Sequence, residues 1–423
     1  MQPPKRSKWL MLGALLAVFV LAAAACGNDD DDNSSDTPAT AASATAAPAT
    51  AAPATAAPTA APELPDEPAP ASEPEPTEPE PAEEEAPTRE APVTQGPNGE
   101  PASPSSEIAL TASELAQIQG GDYSAALLWH SAAAFTDAVS QGARDAFEEM
   151  GIEVVVETEA GFDPAQQAND VETAMALNPD IILSLAIDPV SAAEGFRPAV
   201  DAGVQLVFLS TTPEGYSQGE EFVGVVTDDL AAMGVAAANL LGNALGGEGE
   251  IGYIFHDAQF YVTNQRDQAF KDWIEINFPG ISIVAEQGLA DPAAAEDIAS
   301  AMLTRNPGLD GIYAPWAAGP ADGVLAALRA AGADDVAVVT MDLDTNVSLD
   351  LVEGGNMVGI AADEAYEIGR TMATEGAYGL LGKETPPFVV VPAIEVTADN
   401  IVEAYRLSLA ADPPQEVLDA LGG

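Results

Sequence analysis

From residue 123 to about residue 361, short continuous apolar runs alternate with longer stretches in which apolar residues return every three or four positions. Continuous runs mark strands buried on both faces, and helices of that period are what cover them. The pattern therefore restricts the chain to an α/β fold built on parallel sheets. A first series predicts strands at residues 123–129, 153–157, 181–186 and 205–209, with helices at 135–150, 164–177 and 189–202 between them. Pro164 and Pro189 stand near helix starts, where a missing N–H costs little, and Gly151 and Gly203 stand just past helix ends. A second series follows residues 223–226, with strands at 252–255, 282–286, 311–314, 336–341 and 357–361. Helices near 230–245, 263–277, 293–304, 320–331 and 346–352 separate them. Two such series imply two doubly wound sheets.

The 423 residues leave room for two or three domains. Only 13 Lys and Arg stand against 68 Asp and Glu, a net charge of -55, which argues against a nucleic-acid binder that must replace counterions around phosphates. A single cysteine excludes an intrachain disulfide. The first residues point to export: Lys5, Arg6 and Lys8 precede an uncharged apolar run over residues 9–25. The same run approaches the roughly 17 residues needed to span a bilayer, so a membrane anchor is the alternative. Ala23-Ala24-Ala25 lead into Cys26, and this junction resembles a bacterial lipobox, in which the cysteine is lipidated and becomes the new N-terminus. Leu21 lies two positions upstream of the usual leucine, which leaves ordinary cleavage near Ala25 open. From residue 27 to about 106 the chain holds an acidic run, Ala-Ala-Pro-Ala-Thr units and alternating Pro and Glu, with almost no large apolar side chain to offset conformational entropy. It reads as an extended tether, which spans about 50 Å as a coil.

Ligands of open α/β sheets bind beyond the carboxyl ends of the strands. The loops expected there are Trp129-His130-Ser131, Ser210-Thr211-Thr212, His256-Asp257, Pro315-Trp316 and Asp342-Leu343-Asp344. Rings beside hydrogen-bonding groups suit a polyol, because a ring packs on the C–H face of a sugar while charged groups satisfy its hydroxyls.

Residues 264–270 (Asn-Gln-Arg-Asp-Gln-Ala-Phe), the strand ending in Thr340-Met341-Asp342, the segment 355–361 leading to Asp363, and Ala326 to Gly332 stand in an order that resembles the ribose/galactose-type solute-binding proteins of bacterial ABC importers. The resemblance covers about residues 123–406. It implies a periplasmic binding protein type I fold: two doubly wound parallel-sheet lobes joined by a multi-crossover hinge, closing on a sugar and presenting it to the membrane subunits of an ABC permease. It implies a signal peptide at 1–25, lipidated Cys26 with its tether over 26–107, an N-terminal lobe of 122–227 plus 364–391, a C-terminal lobe of 228–363 plus 392–410, and a tail at 411–423. Position by position it makes Arg266 the guanidinium that grips hydroxyls, Asp342 the carboxylate at a second-lobe strand end, Asp363 a polar group at a crossover, Phe135 a stacking ring and Trp316 a further contact. With the loop residues His130, Ser131, Ser210 and Thr211 these form the expected binding set. Relatives often carry Asp-Arg where this chain has Ser210-Thr211, so one charged grip is missing. The expected protein is a monomer outside the cytoplasm, lipid-anchored, with no cofactor and no catalysis.

Other readings are weaker on the residues. Asp342, Asp344, Asn346, Asp350 and Glu353 match positions 1, 3, 5, 9 and 12 of a calcium loop, but Val347 occupies the position that needs glycine. His130 and His256 have no metal-ligand spacing. No Gly-x-Ser-x-Gly elbow, P-loop or His-Glu-x-x-His occurs, and Gly246, Gly247 and Gly249 precede a strand, so they form no dinucleotide fingerprint. A glycosidase pairing Asp342 with another carboxylate and a sensory receptor ectodomain remain as alternatives. Removal of the three basic residues with the signal would take the charge to -58, an acidity that points to a salty habitat.

Overall fold

The computed structural model describes residues 90–422, all within one compact unit, Glu83–Gly423. The expected signal, Cys26 and most of the expected tether lie outside the described residues. The first sheet opens with a short strand β1 (Ser103–Pro104) and helix α1 (Ala112–Gln119). It continues through β2 (Ser124–Trp129), α2 (Ala134–Met150), β3 (Glu153–Glu159), α3 (Pro164–Met175), β4 (Ile181–Ser184), α4 (Pro189–Gly195), α5 (Arg197–Ala202), β5 (Gln205–Leu209) and β6 (Gly224–Asp228). The second lobe runs through α6 (Leu230–Ala244), β7 (Glu248–His256), α7 (Tyr261–Asn277), β8 (Gly280–Leu289), α8 (Ala295–Arg305), β9 (Gly311–Tyr313), α9 (Asp322–Ala331), β10 (Ala337–Met341), α10 (Thr345–Val352) and β11 (Met357–Ala362). The chain then returns to the first lobe as α11 (Ala365–Leu381) and β12 (Val389–Val391), and crosses again into β13 (Ile394–Val396), α12 (Ile401–Leu409) and α13 (Gln415–Leu421).

The strand order is β1-β12-β6-β5-β4-β2-β3 in one sheet and β13-β11-β10-β9-β7-β8 in the other. All pairings are parallel except β11 with β13. Ala125, Leu127 and Trp129 pack on one face of the first sheet under α2 and α11, while Ala126 and Leu128 pack on the other under α3 and α4. This two-sided burial is what continuous apolar runs require. Chain crossings at β6 to α6, β11 to α11 and β12 to β13 join the lobes, and the α/β architecture expected from the sequence is the one observed.

Close helix contacts fix the lobes internally. Gly142 on α2 and Gly369 on α11 face one another's backbones, Tyr366 and Val139 respectively, and a Cβ at either would collide. Gly234 on α6 does the same for α7, where a Cβ would strike the Arg266 carbonyl.

Several expectations need correction. The helix expected at 189–202 breaks at Phe196, because Pro198 has no N–H to continue the ladder. The tether expected through residue 107 ends earlier, since β1 pairs with β12 and Thr94 is buried. The tail expected at 411–423 contains α13, whose Val417 is wholly buried in the second-lobe core.

Candidate functional site

Arg266 enters from α7, and the sequence around it explains its placement. Phe270, one turn on, stacks on Tyr313 of β9 at 4.0 Å. Asp267 accepts hydrogen bonds from the Tyr313 hydroxyl (2.6 Å) and the His256 backbone N–H (2.8 Å). Burial raises the Asp267 pKa to about 6, against the lowering effect of these bonds. The helix is thus pinned to the second sheet through the residues flanking Arg266, whose side chain is directed to the edge where the lobes meet.

There the guanidinium donates through Nε (3.1 Å) and Nη2 (2.5 Å) to Asp228 Oδ2, and through Nη1 to Asp342 (3.0 and 3.4 Å). Asp363 Oδ2 lies 4.0 Å from Nη2, and its Oδ1 accepts from Ser408 at 3.3 Å. Asp228 closes β6 of the first sheet, Asp342 follows β10, and Asp363 follows β11 at a crossover. One guanidinium therefore ties together the carboxyl edges of both sheets. Burial by itself lowers the Arg266 pKa, but the three carboxylates more than offset this and hold it above its ordinary value. Burial and the neighbouring aspartates push Asp342 and, further, Asp363 upward, with Arg266 opposing. Asp342 keeps 37% of its side chain exposed, whereas Arg266 and Asp363 are nearly enclosed. Its open edge makes Asp342 the member of the set that can reach a ligand.

Of the expected set, the structure brings Arg266, Asp342 and Asp363 together. Ser210 joins them indirectly: its hydroxyl bonds Thr227 (2.7 Å), which donates to Asp228 (2.9 Å). Thr211 instead donates to the Ala186 carbonyl (2.8 Å), and the Ser131 carbonyl accepts from Thr136 (2.8 Å). Phe135 is half-buried on the first turn of α2 against the first-lobe core. His130 meets Phe162 edge-on at 5.2 Å, and Trp316 meets His256 edge-on at 5.1 Å. Burial lowers the His130 pKa to about 4, so its ring is neutral, and burial likewise lowers that of His256. Among the described residues no hydrogen bond links Phe135, His130, Thr211 or Trp316 to the Arg266 cluster. Each lobe thus carries a histidine–aromatic pair at its own strand ends.

Asp342 does not cap α10; Asp344 does, accepting from the Asn346 N–H at 2.9 Å. Asp350 is turned to the Met357 N–H (2.8 Å), so the residues of the calcium template point to separate partners. Among the described residues no group of three His, Cys, Asp or Glu side chains is disposed to hold a metal, and no helix is long and apolar enough to cross a membrane.

Sequence reasoning missed Asp228 and Phe162. Asp228 was masked by its neighbour Asp229, which caps α6 in the ordinary way. Phe162 is 60% exposed with φ of 59°. Ser210 (φ 57°) and Asp342 (φ 66°) share that left-handed conformation, and all three lie just past the carboxyl ends of strands. A cavity of about 510 Å³ lies elsewhere, at the amino end of β5 beside Gln205, Gln218 and Lys383. Among the described residues its charged lining, Glu220, Glu221, Lys383 and Glu384, forms no ion pair across the cavity, and the strand carboxyl edges, where Arg266 binds carboxylates of both lobes, are the better candidate.

Residues 125–384 match the family model described as a periplasmic binding protein domain. The chain is 26% identical over 219 residues to the ABC transporter periplasmic-binding protein YphF of Escherichia coli, covering 50% of this chain and 66% of that one. The chain so spans slightly less than two thirds of that relative's length. Among solved structures, a sugar-binding protein of a sugar ABC transporter from Bacillus halodurans is 26% identical with a TM-score of 0.59, covering 67% of this chain and 100% of that one. An arabinose-binding protein from Geobacillus stearothermophilus is 22% identical with a TM-score of 0.60, covering 67% and 100%. A solute-binding protein from Bacillus halodurans with bound myo-inositol is 20% identical with a TM-score of 0.56, covering 67% and 97%. These relatives are binding proteins rather than enzymes.

Proposed function

The chain belongs to the periplasmic binding protein family, and from that premise we propose that it is the extracytoplasmic substrate-binding protein of an ABC importer, taking a monosaccharide or cyclic polyol between its lobes. The observation that carries the reading is the Arg266 cluster, in which groups from both lobes converge at strand carboxyl ends. A hydroxylated ring entering there would donate hydrogen bonds to the open edge of Asp342, which Arg266 holds in place from behind, while Trp316 and Phe162 offer flat faces for its C–H surface. Contacts from both lobes stabilise the closed form over the open one, and the closed form is what a permease would recognise. Export, and anchoring through a lipid on Cys26, belong to the same proposal and are supported by the sequence pattern around residues 5–26; a monomer held in this way would stand beside that permease.

Asp342 is the position to vary. Truncation of Arg266 would leave three carboxylates without their cation, which typically costs about 3–5 kcal/mol and confounds binding with folding. A thermal-shift screen of pentoses, hexoses, inositols, polyols and nucleosides is expected to return a sugar or cyclitol that raises the melting temperature. Asp342→Ala is expected to weaken that ligand by roughly tenfold or more, the loss of a charge-assisted hydrogen bond of about 1.5–3 kcal/mol. A screen in which only nucleosides or nothing at all stabilises the protein, or a variant of unchanged affinity, refutes the reading.

A further inference from the structure

Residues 94–104 lie ahead of the region matched by the family model, yet they are bonded into the place where the lobes join. The segment is fixed to the first lobe by β1, whose Ser103 and Pro104 pair with Val389 and Val390 of β12, with a further bond from the Ser103 N–H to the Phe388 carbonyl (2.9 Å). A tight turn, Gly96 N–H to Glu100 carbonyl at 2.8 Å, reverses the chain and sends Thr94 and Gln95 toward the second lobe. Buried Thr94 donates its hydroxyl to Asp229 Oδ1 (2.5 Å) and accepts from the Ala231 N–H (2.7 Å) at the start of α6. The Gln95 backbone is gripped on both sides by α7. Its N–H donates to Gln265 Oε1 (3.1 Å), and its carbonyl accepts from Gln265 Nε2 (3.0 Å) and the Tyr261 hydroxyl (2.6 Å).

Asp229 and Gln265 are the chain neighbours of Asp228 and Arg266, the two members of the tightest pair in the candidate site. We infer that residues 94–104 form a strap, a non-covalent connection between the lobes beside the Arg266–Asp228 pair, whose Thr94 and Gln95 are positioning residues: they hold α6 and α7 in register so that Asp228 meets Arg266, and they limit how far the lobes part. Three covalent crossings leave the lobes free to open about the hinge. A bonded strap anchored in one sheet and clasping two helices of the other lobe resists that opening, in a way that pairing within either lobe cannot.

The test uses the full chain with Cys26→Ser, which removes its only thiol. Exposed Glu172 on α3 and Glu275 on α7 are replaced by cysteine for spin labels, and the distance between them is measured by pulsed dipolar spectroscopy. Because Gln95 bonds through its backbone, the strap is released by Thr94→Val, Tyr261→Phe and Gln265→Ala together. The expected result is a distance distribution that widens by several ångströms, with amide exchange across residues 261–267 faster by about tenfold or more. Asn98→Ala, at the tip of the turn, is expected to change neither. Should the triple variant fail to fold, Tyr261→Phe with Thr94→Val gives the same readings. Unchanged distances in a folded strap variant overturn the inference, whether or not its melting temperature falls, since a merely structural segment would lower stability without moving the lobes.

Discussion

Glu375 lies wholly inside the first lobe, on α11, with neither carboxylate oxygen hydrogen-bonded among the described residues. Burial pushes its pKa up to about 8 from an ordinary 4.5. The folded chain then keeps a proton that the unfolded chain gives up. Between pH 4.5 and 8 the native state binds more protons, so stability falls as pH rises through that window. Glu375→Gln removes the linkage. It is expected to stabilise the protein by about 1–3 kcal/mol at pH 7 and to flatten the pH dependence of urea unfolding between pH 5 and 8; an unaltered slope would show that Glu375 is not its source. Nothing in the sequence marked this residue, because an acid on an amphipathic helix reads as solvent-facing. Asp342 was more legible, since a strand end singles it out, whereas Arg266, one of few cations in the chain, and Asp363 were reached through the resemblance to ribose/galactose-type solute-binding proteins. Phe162 was not, because a left-handed φ at a phenylalanine is set by the turn and not by its composition.

Helices show where periodicity works and where it fails. Apart from the break at Phe196 between α4 and α5, the strands and helices from β2 to β11 follow their apolar pattern, since the central strands and the helices that cover them bury apolar residues against one another. Helix α11 was not singled out: Gly369, Gly376 and Gly379 interrupt its pattern and serve its close approach to α2 and the first sheet, a purpose visible only in three dimensions. Helix α1 did carry a local signal, the reciprocal capping of Thr111 and Glu114, which was passed over because it precedes the alternating series. Gly234 matters in the same way, as it lets α7 lie against α6. Gly234→Ala is expected to force the helices apart and cost about 1–3 kcal/mol in chemical denaturation, with loss of whatever ligand the sugar screen identifies. Full stability together with full affinity would mean that the contact relaxes without moving Arg266.

Over the molecule as a whole, charge is the dominant property. A net charge of -55 repels itself at low ionic strength, while the described ion pairs, such as Lys271 with Glu286 and Arg370 with Glu149, employ few cations. Salt at about 1 M shortens the screening length to roughly 3 Å. The melting temperature is accordingly expected to rise between 0.05 M and 2 M KCl, measured by differential scanning fluorimetry; a flat or falling curve removes the case for a saline habitat. The order of strands and helices, the two-sheet architecture and the strand-end place of Asp342 followed from the sequence alone, because hydrophobic period and strand-end position are local properties. The partnership of Asp228 with Arg266, the strap that clasps α6 and α7, and the isolation of Glu375 were decided only in the folded chain. Each depends on segments distant in sequence meeting at a fixed angle, and no local pattern encodes an angle between lobes.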